Sequence, residues 1–211
     1  MTPAEISRRS WLTLAAWIGL TALAIAFVDR AASTWSHQHL HGVATFRWLT
    51  HLVDPILPGA LLGLAGSALA AALGGWRPKE HGITFIAVCL SVVVGAAMKE
   101  RLKSAFGRTW PETWTDGNPS WIGNGVFGFH PFHGGEGWYS FPSGHMTLAS
   151  SLAAVLWLRI PKLRPWCVLL VAAVAVGLFG ADFHWVGDMV AGTFLGTLCA
   201  TGVVALLSGL P

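Results

Sequence analysis

Charged side chains are scarce in this sequence. Only 13 Lys and Arg and 10 Asp and Glu occur among 211 residues, which is 11% of the chain, whereas a soluble domain carries about 25%. Hydrophobic residues make up 54%. Such a chain cannot cover a soluble globule with polar surface, which argues against a soluble enzyme, a disordered tail or a collagen-like fibre. The small net charge of +3, scattered among apolar stretches, argues against nucleic-acid binding.

Cysteine is also rare. The three cysteines lie inside apolar stretches, without a CxxC or a paired spacing: Cys89, Cys167 and Cys199. This pattern predicts small buried hydrophobic side chains rather than a disulfide or a metal site.

The few charges divide the chain into six apolar blocks. We expect an all-α, polytopic membrane protein with six transmembrane helices in one bundle, forming a single domain over residues 1–211. The predicted spans are residues 11–28, 57–73, 83–98, 142–158, 166–181 and 189–210. The first block resembles a signal peptide, but it is long for one and no small-x-small cleavage site precedes Asp29, so we interpret it as a retained span.

Small residues recur every four positions inside two blocks. Gly59, Gly63 and Ser67 form one series, and Gly192 and Gly196 form the other. Small residues let helices approach closely in lipid. We expect this packing to occur within one chain rather than between two copies.

Basic residues in the linkers predict the orientation. With six spans, both termini share one face, and that face carries seven Lys or Arg against six on the other. Four of those six cluster in the third linker, at Lys99, Arg101, Lys103 and Arg108. Without this cluster the two faces carry seven and two basic residues. Because basic residues collect on the cytoplasmic side, this bias predicts that both termini are cytoplasmic and that the third linker is outside. The expected location is the inner membrane of a bacterium.

The third linker, from about Lys99 to Phe141, is the longest. It is rich in Trp, Phe, Gly and Pro, and long linkers of compact proteins are usually functional or disordered. Its aromatic content argues against disorder and favours a position at the membrane interface, where Trp and Tyr collect. The His-rich first linker, residues 29–54, shares this outer face.

Three short segments carry residues that suit chemistry: residues 103–111 after span three, 141–145 before span four, and 184–188 between spans five and six. Counting the spans places all three on the same face. Ser143 is a good N-cap at a helix start, where free backbone N–H groups bind anions. Together with Lys103 and Arg108, this helix start predicts a site for a phosphate or a similar oxyanion.

The histidines of these segments suit proton and group transfer. His184 and Asp188 are four residues apart, which on a helix places them within reach of a hydrogen bond. A carboxylate behind a histidine fixes its tautomer and stabilises the charge that it gains. His145 would then be free to act as a general acid.

The three segments resemble the motifs of the type 2 phosphatidic acid phosphatase superfamily, which are Lys-x6-Arg-Pro, Pro-Ser-Gly-His and Ser-Arg-x5-His-x3-Asp. The resemblance covers about residue 83 to the end, and the second motif matches fully at 142–145. It implies that His184 forms a phosphohistidine, that Asp188 orients it, and that His145 protonates the leaving group. The resemblance implies a further set of phosphate-binding residues: Lys103, Arg108, Ser143 and Gly144. It implies neither a metal ion nor another cofactor.

Two positions depart from the family motifs. Trp110 stands at the position of the arginine in the first motif, and Leu178 stands at the position of the arginine in the third motif. Each charged hydrogen bond lost from a transition state costs about 2–4 kcal/mol. Losing both without compensation would lower the rate by about 10³–10⁶.

Several residues could compensate. The third linker offers three candidate donors or lid residues: Trp110, His130 and His133. For the two histidines a solvated loop is the alternative, and a His-x2-His metal pair lacks a third ligand nearby in the sequence. Arg108 could turn toward the phosphate. Asp182, two residues before His184, could hold Arg108 or repel phosphate, and the sequence leaves both open.

These observations favour a membrane enzyme, a phosphoric monoester or diphosphate hydrolase acting on a lipid-linked phosphate at the outer interface. The alternatives are a weakened or inactive relative that binds an anionic lipid, and a lipid phosphotransferase. A transporter is disfavoured because no ionisable residue lies in the middle of a span. The expected partners are the lipid phosphate and the bilayer, without nucleic acid, and the oligomeric state stays open.

Overall fold

The computed structural model describes residues 3–114 and 117–208, and in this part of the chain the regular secondary structure is helical, with isolated β-bridges in the third linker. The helices are α1 (Pro3–Leu23), α2 (Asp29–Leu40), α3 (Ala44–Thr50), α4 (Ile56–Gly74), α5 (Glu80–Phe106), α6 (Trp121–Asn124), α7 (Gly144–Arg159), α8 (Arg164–Gly180) and α9 (Val186–Leu207). The predicted all-α class is confirmed.

Five helical stretches within the described residues are long and apolar enough to cross a membrane. They are Trp11–Leu40, Ala44–Gly74, Glu80–Phe106, Pro161–Gly180 and Val186–Leu207. The predicted fourth span corresponds to α7, which has only 16 residues, against the roughly 17–25 that a span needs. A sixth crossing therefore stays a prediction. Residues 209 and 210, the end of the last predicted span, lie outside the described residues.

Much of the surface of helix α7 is covered by the rest of the protein. Nine of its residues are buried, including Ser150 and Ser151. The Ser91 hydroxyl on α5 donates a hydrogen bond to the Ser151 carbonyl oxygen over 3.1 Å. Hydroxyl groups suit such a position because they are satisfied by neighbouring helices. The three cysteines are free and buried in the helices around this core.

Glycines on α9 let it lie against the backbone of α7. A Cβ on Gly192 would stand 2.5 Å from the Ser143 carbonyl oxygen, and one on Gly196 would stand 2.8 Å from the Ser151 backbone nitrogen. Within α4, Gly63 packs on the side chains of α5, whereas nothing lies within 4 Å of a Cβ on Gly59. The predicted close packing within one chain is therefore confirmed for Gly192, Gly196 and Gly63.

Helix α5 runs eight residues beyond the predicted span end at residue 98 and stops at Phe106. The prediction placed the boundary at the first charge, but Lys, Arg and Glu are strong helix formers and do not end a helix. Gly107 ends it instead, in the left-handed conformation at φ 57°. Consequently Lys99 and Lys103 lie one turn apart on α5 rather than in a linker.

The first span also continues past its predicted end at residue 28. A π-helical segment, Ala24–Val28, joins α1 to α2 without a break, and the helix proceeds to Leu40. Asp29 therefore lies within a helix and is buried, although the sequence placed it at the start of a linker. This position brings its carboxylate into the protein interior.

Candidate active site

The three chemically distinctive segments meet at one end of the bundle. Helix α5 ends there, α7 begins there, and the turn before α9 lies between them. The Ser143 backbone N–H donates a hydrogen bond to the Asp188 carbonyl oxygen over 3.0 Å. The ring centroids of His145 and His184 are 6.2 Å apart. The structure therefore brings together the residues that the sequence selected as catalytic.

His184 and Asp188 form a pair, but not as two residues of one helix. Helix α9 begins at Val186, so His184 lies before it and Asp188 in its first turn. The His184 Nδ1 nevertheless lies 3.3 Å from the Asp188 Oδ2. The Ser140 hydroxyl also donates to this oxygen. Because a carboxylate only accepts, Nδ1 carries the proton and the Nε2 lone pair of His184 is free.

Burial favours the neutral form of His184. Its relative exposure is 5%, and this burial lowers the pKa of the imidazole below its ordinary value, while Asp188 acts in the opposite direction. A neutral imidazole with a free Nε2 lone pair is the form that can act as a nucleophile.

Ser143 caps α7 as predicted. Its side chain accepts a hydrogen bond from the Met146 backbone N–H over 3.4 Å. The first turn of α7 therefore keeps part of its free N–H groups for a ligand. A Cβ on the next residue, Gly144, would stand 3.5 Å from the Lys99 Nζ.

A pocket of about 260 Å³ opens beside this helix start. Its lining residues come from the start of α4, from α5 and from α7: Val53, Asp54, Leu57, Pro58, Lys99, Lys103, Gly144, His145 and Leu148. Two lysines therefore line the pocket with the general-acid candidate, and the Lys99 ammonium is paired with the Glu100 carboxylate in this structure. Sequence reasoning placed Lys99 in the basic cluster but missed it as a site residue. Its spacing of four from Lys103, on a helix extended by eight residues, was the signal that could have found it.

Arg108 does not line this pocket, so its phosphate binding stays a prediction that the geometry does not support. It is fully buried, with its Nη1 2.5 Å from the Asp188 Oδ1 and its Nη2 2.6 Å from the Asp29 Oδ2. Asp29 also accepts a hydrogen bond from the Gly187 N–H over 2.8 Å. Two carboxylates occupy the guanidinium, so Arg108 holds Asp188 in place instead of facing a ligand.

The Trp110 indole N–H is bonded within the third linker, so its predicted donor role stays a prediction. Its Nε1–H donates to the Glu136 carbonyl oxygen over 2.9 Å. The indole contributes through its ring, whose centroid lies 5.1 Å from that of His184 and 5.8 Å from the Lys103 Nζ. Trp110 therefore packs between the nucleophile candidate and a pocket lysine.

His130 and His133 belong to an aromatic cluster within the third linker. Their rings lie 4.3 and 4.0 Å from the ring of Trp138. The His130 backbone N–H donates a hydrogen bond to the Gly107 carbonyl oxygen over 2.8 Å, which holds the linker against the end of α5. These contacts give the two histidines a packing role in the linker, and the predicted lid or donor role has no support from them.

Asp182 and Leu178 also lie away from the pocket. Asp182 is 1% exposed and faces His37 and His41, so the predicted hold on Arg108 is wrong, since Asp29 and Asp188 occupy that arginine. Burial raises the pKa of the Asp182 carboxyl above its ordinary value. Leu178 is fully buried in the hydrophobic core and does not line the pocket.

Residues 84–210 match the model of the PAP2 superfamily. Two lipid A 1-phosphatases, from Rhizobium johnstonii and Rhizobium etli, are each 32% identical to the chain over 110 residues. These matches cover 50% of this chain, and 41% and 43% of the two relatives. The chain thus aligns with about two fifths of the length of these curated relatives.

The fold is also similar to a solved structure. A crystal structure of a transmembrane PAP2 type phosphatidylglycerolphosphate phosphatase from Bacillus subtilis superposes with a TM-score of 0.57. The superposition covers 95% of this chain and 96% of that chain, at 17% sequence identity. This structural similarity includes the first helices, which lie outside the residues 84–210 matched by the family model. At this level of sequence identity it shows a shared fold only.

Proposed function

The chain belongs to the PAP2 superfamily, and from that premise we propose that it is a membrane phosphatase that hydrolyses a lipid-linked phosphate or diphosphate. The observation that carries this proposal is the arrangement around His184. Its Nδ1 lies 3.3 Å from Asp188, and the His145 ring is 6.2 Å away, beside a pocket with two lysines. Phosphoryl transfer through a covalent enzyme intermediate requires a nucleophile, a general acid and groups that bind the phosphate anion, and this arrangement offers a candidate for each.

The proposed reaction has two steps. His184 Nε2 attacks the phosphorus, the P–O bond to the lipid breaks, and His145 donates its proton to the departing oxygen. A water molecule then attacks the phosphohistidine, giving its proton to His145, and inorganic phosphate leaves with His184 restored. Asp188 stabilises the positive charge that His184 carries between these steps.

Lys99 and Lys103, together with the first turn of α7, would hold the phosphoryl oxygens in both steps. Fixed cations and backbone N–H groups aimed at the developing charge stabilise a transition state of this kind. In this proposal Lys99 supplies the charge that the resemblance expected from arginine at positions 110 and 178. The pocket walls formed by Val53, Leu57 and Leu148 suit the apolar part of a lipid.

The proposed topology follows the distribution of basic residues. Both termini lie in the cytoplasm, α7 is the sixth crossing, and the pocket faces the outer side of the inner membrane of a bacterium. The substrate would then reach the pocket from the outer leaflet. The candidate headgroups are polyprenyl diphosphate, phosphatidylglycerol phosphate, phosphatidate and the phosphates of lipid A, the last because two relatives carry the name lipid A 1-phosphatase.

The test is the release of inorganic phosphate from each of these four lipids by the purified protein in detergent, beside the His184→Ala variant. We expect at least one lipid to be hydrolysed well above the rate of the variant. If none is hydrolysed but anionic lipids bind, the protein is a lipid-binding relative and the enzyme proposal fails. If phosphate appears on a second lipid instead of in solution, the protein is a phosphotransferase and hydrolysis is overturned.

A further inference from the structure

Four metal-ligating side chains converge on the same end of the bundle, apart from the pocket. His37 lies on α2 and His41 directly after it, Glu112 lies in the third linker, and Asp182 lies in the turn between α8 and α9. Their ligand atoms all lie within 4.8 Å of one another. Three segments distant in sequence thus supply two imidazoles and two carboxylates to one point.

The cluster has more acceptors than protons to satisfy them. The His37 Nδ1 lies 2.9 Å from the Glu112 Oε2 and 3.2 Å from the Asp182 Oδ2, yet it can donate only one hydrogen bond. The His41 Nδ1 lies 3.5 Å from the same Asp182 oxygen. The Asp182 Oδ1 and the Glu112 Oε2 are buried without a hydrogen-bond partner in the described structure.

A buried carboxylate left in this state is costly. Asp182 is 1% exposed, and the charged or titratable groups that face it are His37, His41 and the equally acidic Glu112. No lysine or arginine of the described residues pairs with it. A bound cation would supply the missing positive charge and accept the free lone pairs of both carboxylates.

The spacing of the ligand atoms suits a small tetrahedral ion. Ligands about 2.0–2.1 Å from a tetrahedral zinc ion lie about 3.3 Å from each other. Three of the six separations in the cluster are 2.9, 3.2 and 3.5 Å, and all six are within 4.8 Å. We propose that His37, His41, Glu112 and Asp182 form a binding site for one divalent cation of the zinc type. Imidazole nitrogen with carboxylate oxygen favours such an ion over Ca²⁺ or Mg²⁺, which prefer oxygen ligands alone.

The site would act by tying segments together. Four protein ligands leave no open position for a substrate, as in structural zinc sites. The ion would link the end of α2 and the third linker to Asp182, which lies two residues before His184. The side chains of His37 and His41 are 32% and 49% exposed, so an ion can reach the site from solvent.

The experiment measures bound metal in the full-length, tag-free protein in detergent. The protein is incubated with ZnCl₂ and, in parallel, with CoCl₂, excess ion is removed by gel filtration, and metal per chain is determined by mass spectrometry. The variants are His37→Gln and Glu112→Gln, which remove a ligand with little change of volume. His39→Gln is the matched control, because His39 is an exposed histidine on the same helix whose Nδ1 is bonded to the Trp35 carbonyl oxygen.

We expect about one ion per chain in the wild type and in His39→Gln, a visible absorption of tetrahedral Co²⁺, and at least a tenfold weaker affinity in both ligand variants. Equal metal content in the wild type and in Glu112→Gln would overturn the proposal, as would a loss in His39→Gln equal to that in His37→Gln. The site does not rest on the proposed phosphatase activity, since metal content is measured without substrate.

Discussion

The side chain of Lys99 on α5 lies against Gly144 at the start of α7. A Cβ on that glycine would stand 3.2, 3.3 and 3.5 Å from the Lys99 Cδ, Cε and Nζ. The absence of a side chain at Gly144 therefore gives Lys99 its place beside the first turn of α7. A second lysine, Lys103, faces the same pocket from the next turn of α5.

Removing Lys99 should reduce turnover strongly. Loss of one charged group that contacts the transition state costs about 2–4 kcal/mol, so Lys99→Ala should lower kcat/KM for the lipid phosphate by about 30- to 1000-fold. The matched control is Arg101→Ala, because Arg101 is exposed on the same helix. Equal losses in the two variants would show that only the general charge of this face matters.

Arg108→Met should destabilise the fold. The arginine is fully buried between Asp29 and Asp188, and breaking a buried pair costs about 3–5 kcal/mol because it leaves unpaired charges. We expect a lower thermal unfolding midpoint in detergent. Adding Asp29→Asn to this variant should raise the midpoint again in part, because one of the two unpaired carboxylates is then removed. An unchanged midpoint with a raised KM would instead make Arg108 a phosphate ligand.

Trp110→Phe should retain most of the activity. The indole N–H bonds to the Glu136 carbonyl oxygen, and the ring packs beside His184, so Phe keeps the packing. The lost hydrogen bond is worth about 1 kcal/mol, roughly a fivefold change at most. Trp110→Ala should lose much more activity, because the ring that packs against His184 is then removed. Steady-state kinetics showing equal losses in both variants would make the indole N–H a phosphate donor.

Gly192→Ala should destabilise the protein, whereas Gly202→Ala on the same helix should not. A Cβ on Gly192 would stand 2.5 Å from the Ser143 carbonyl oxygen, and nothing lies within 4 Å of one on Gly202. Overpacking costs about 1–3 kcal/mol, while alanine stabilises an open helical position by up to about 1 kcal/mol. Thermal unfolding of both variants measures the difference. Similar midpoints would contradict the close contact of α9 with α7.

The sequence was sufficient to predict those features that depend on local pattern. Long apolar runs predicted the helical class, and the counting of spans predicted that Ser143, His145 and His184 share one end of the bundle. The glycine spacing on α9 predicted close packing within the chain. Each of these follows from periodicity or from the order of segments, which a single sequence displays directly.

The features that the sequence did not reveal depend on contacts between distant residues. Arg108 and Asp29 are 79 residues apart, and nothing local indicates that the arginine turns inward to that carboxylate. The same holds for Asp182, which meets His37 across 145 residues. The length of α5 was missed for a different reason, because its boundary was placed at the first charge although charged residues continue helices well. That error also concealed Lys99 as a pocket residue.

The most direct test of the phosphohistidine account is covalent labelling of the protein by a lipid substrate carrying ³²P in its phosphate. After rapid quenching under alkaline conditions, the account predicts radioactivity on the wild-type protein that is released by acid, maps to His184, and is absent from His184→Gln. Phosphate release by the wild type without any labelled protein, or turnover that survives in His184→Gln, would contradict the account.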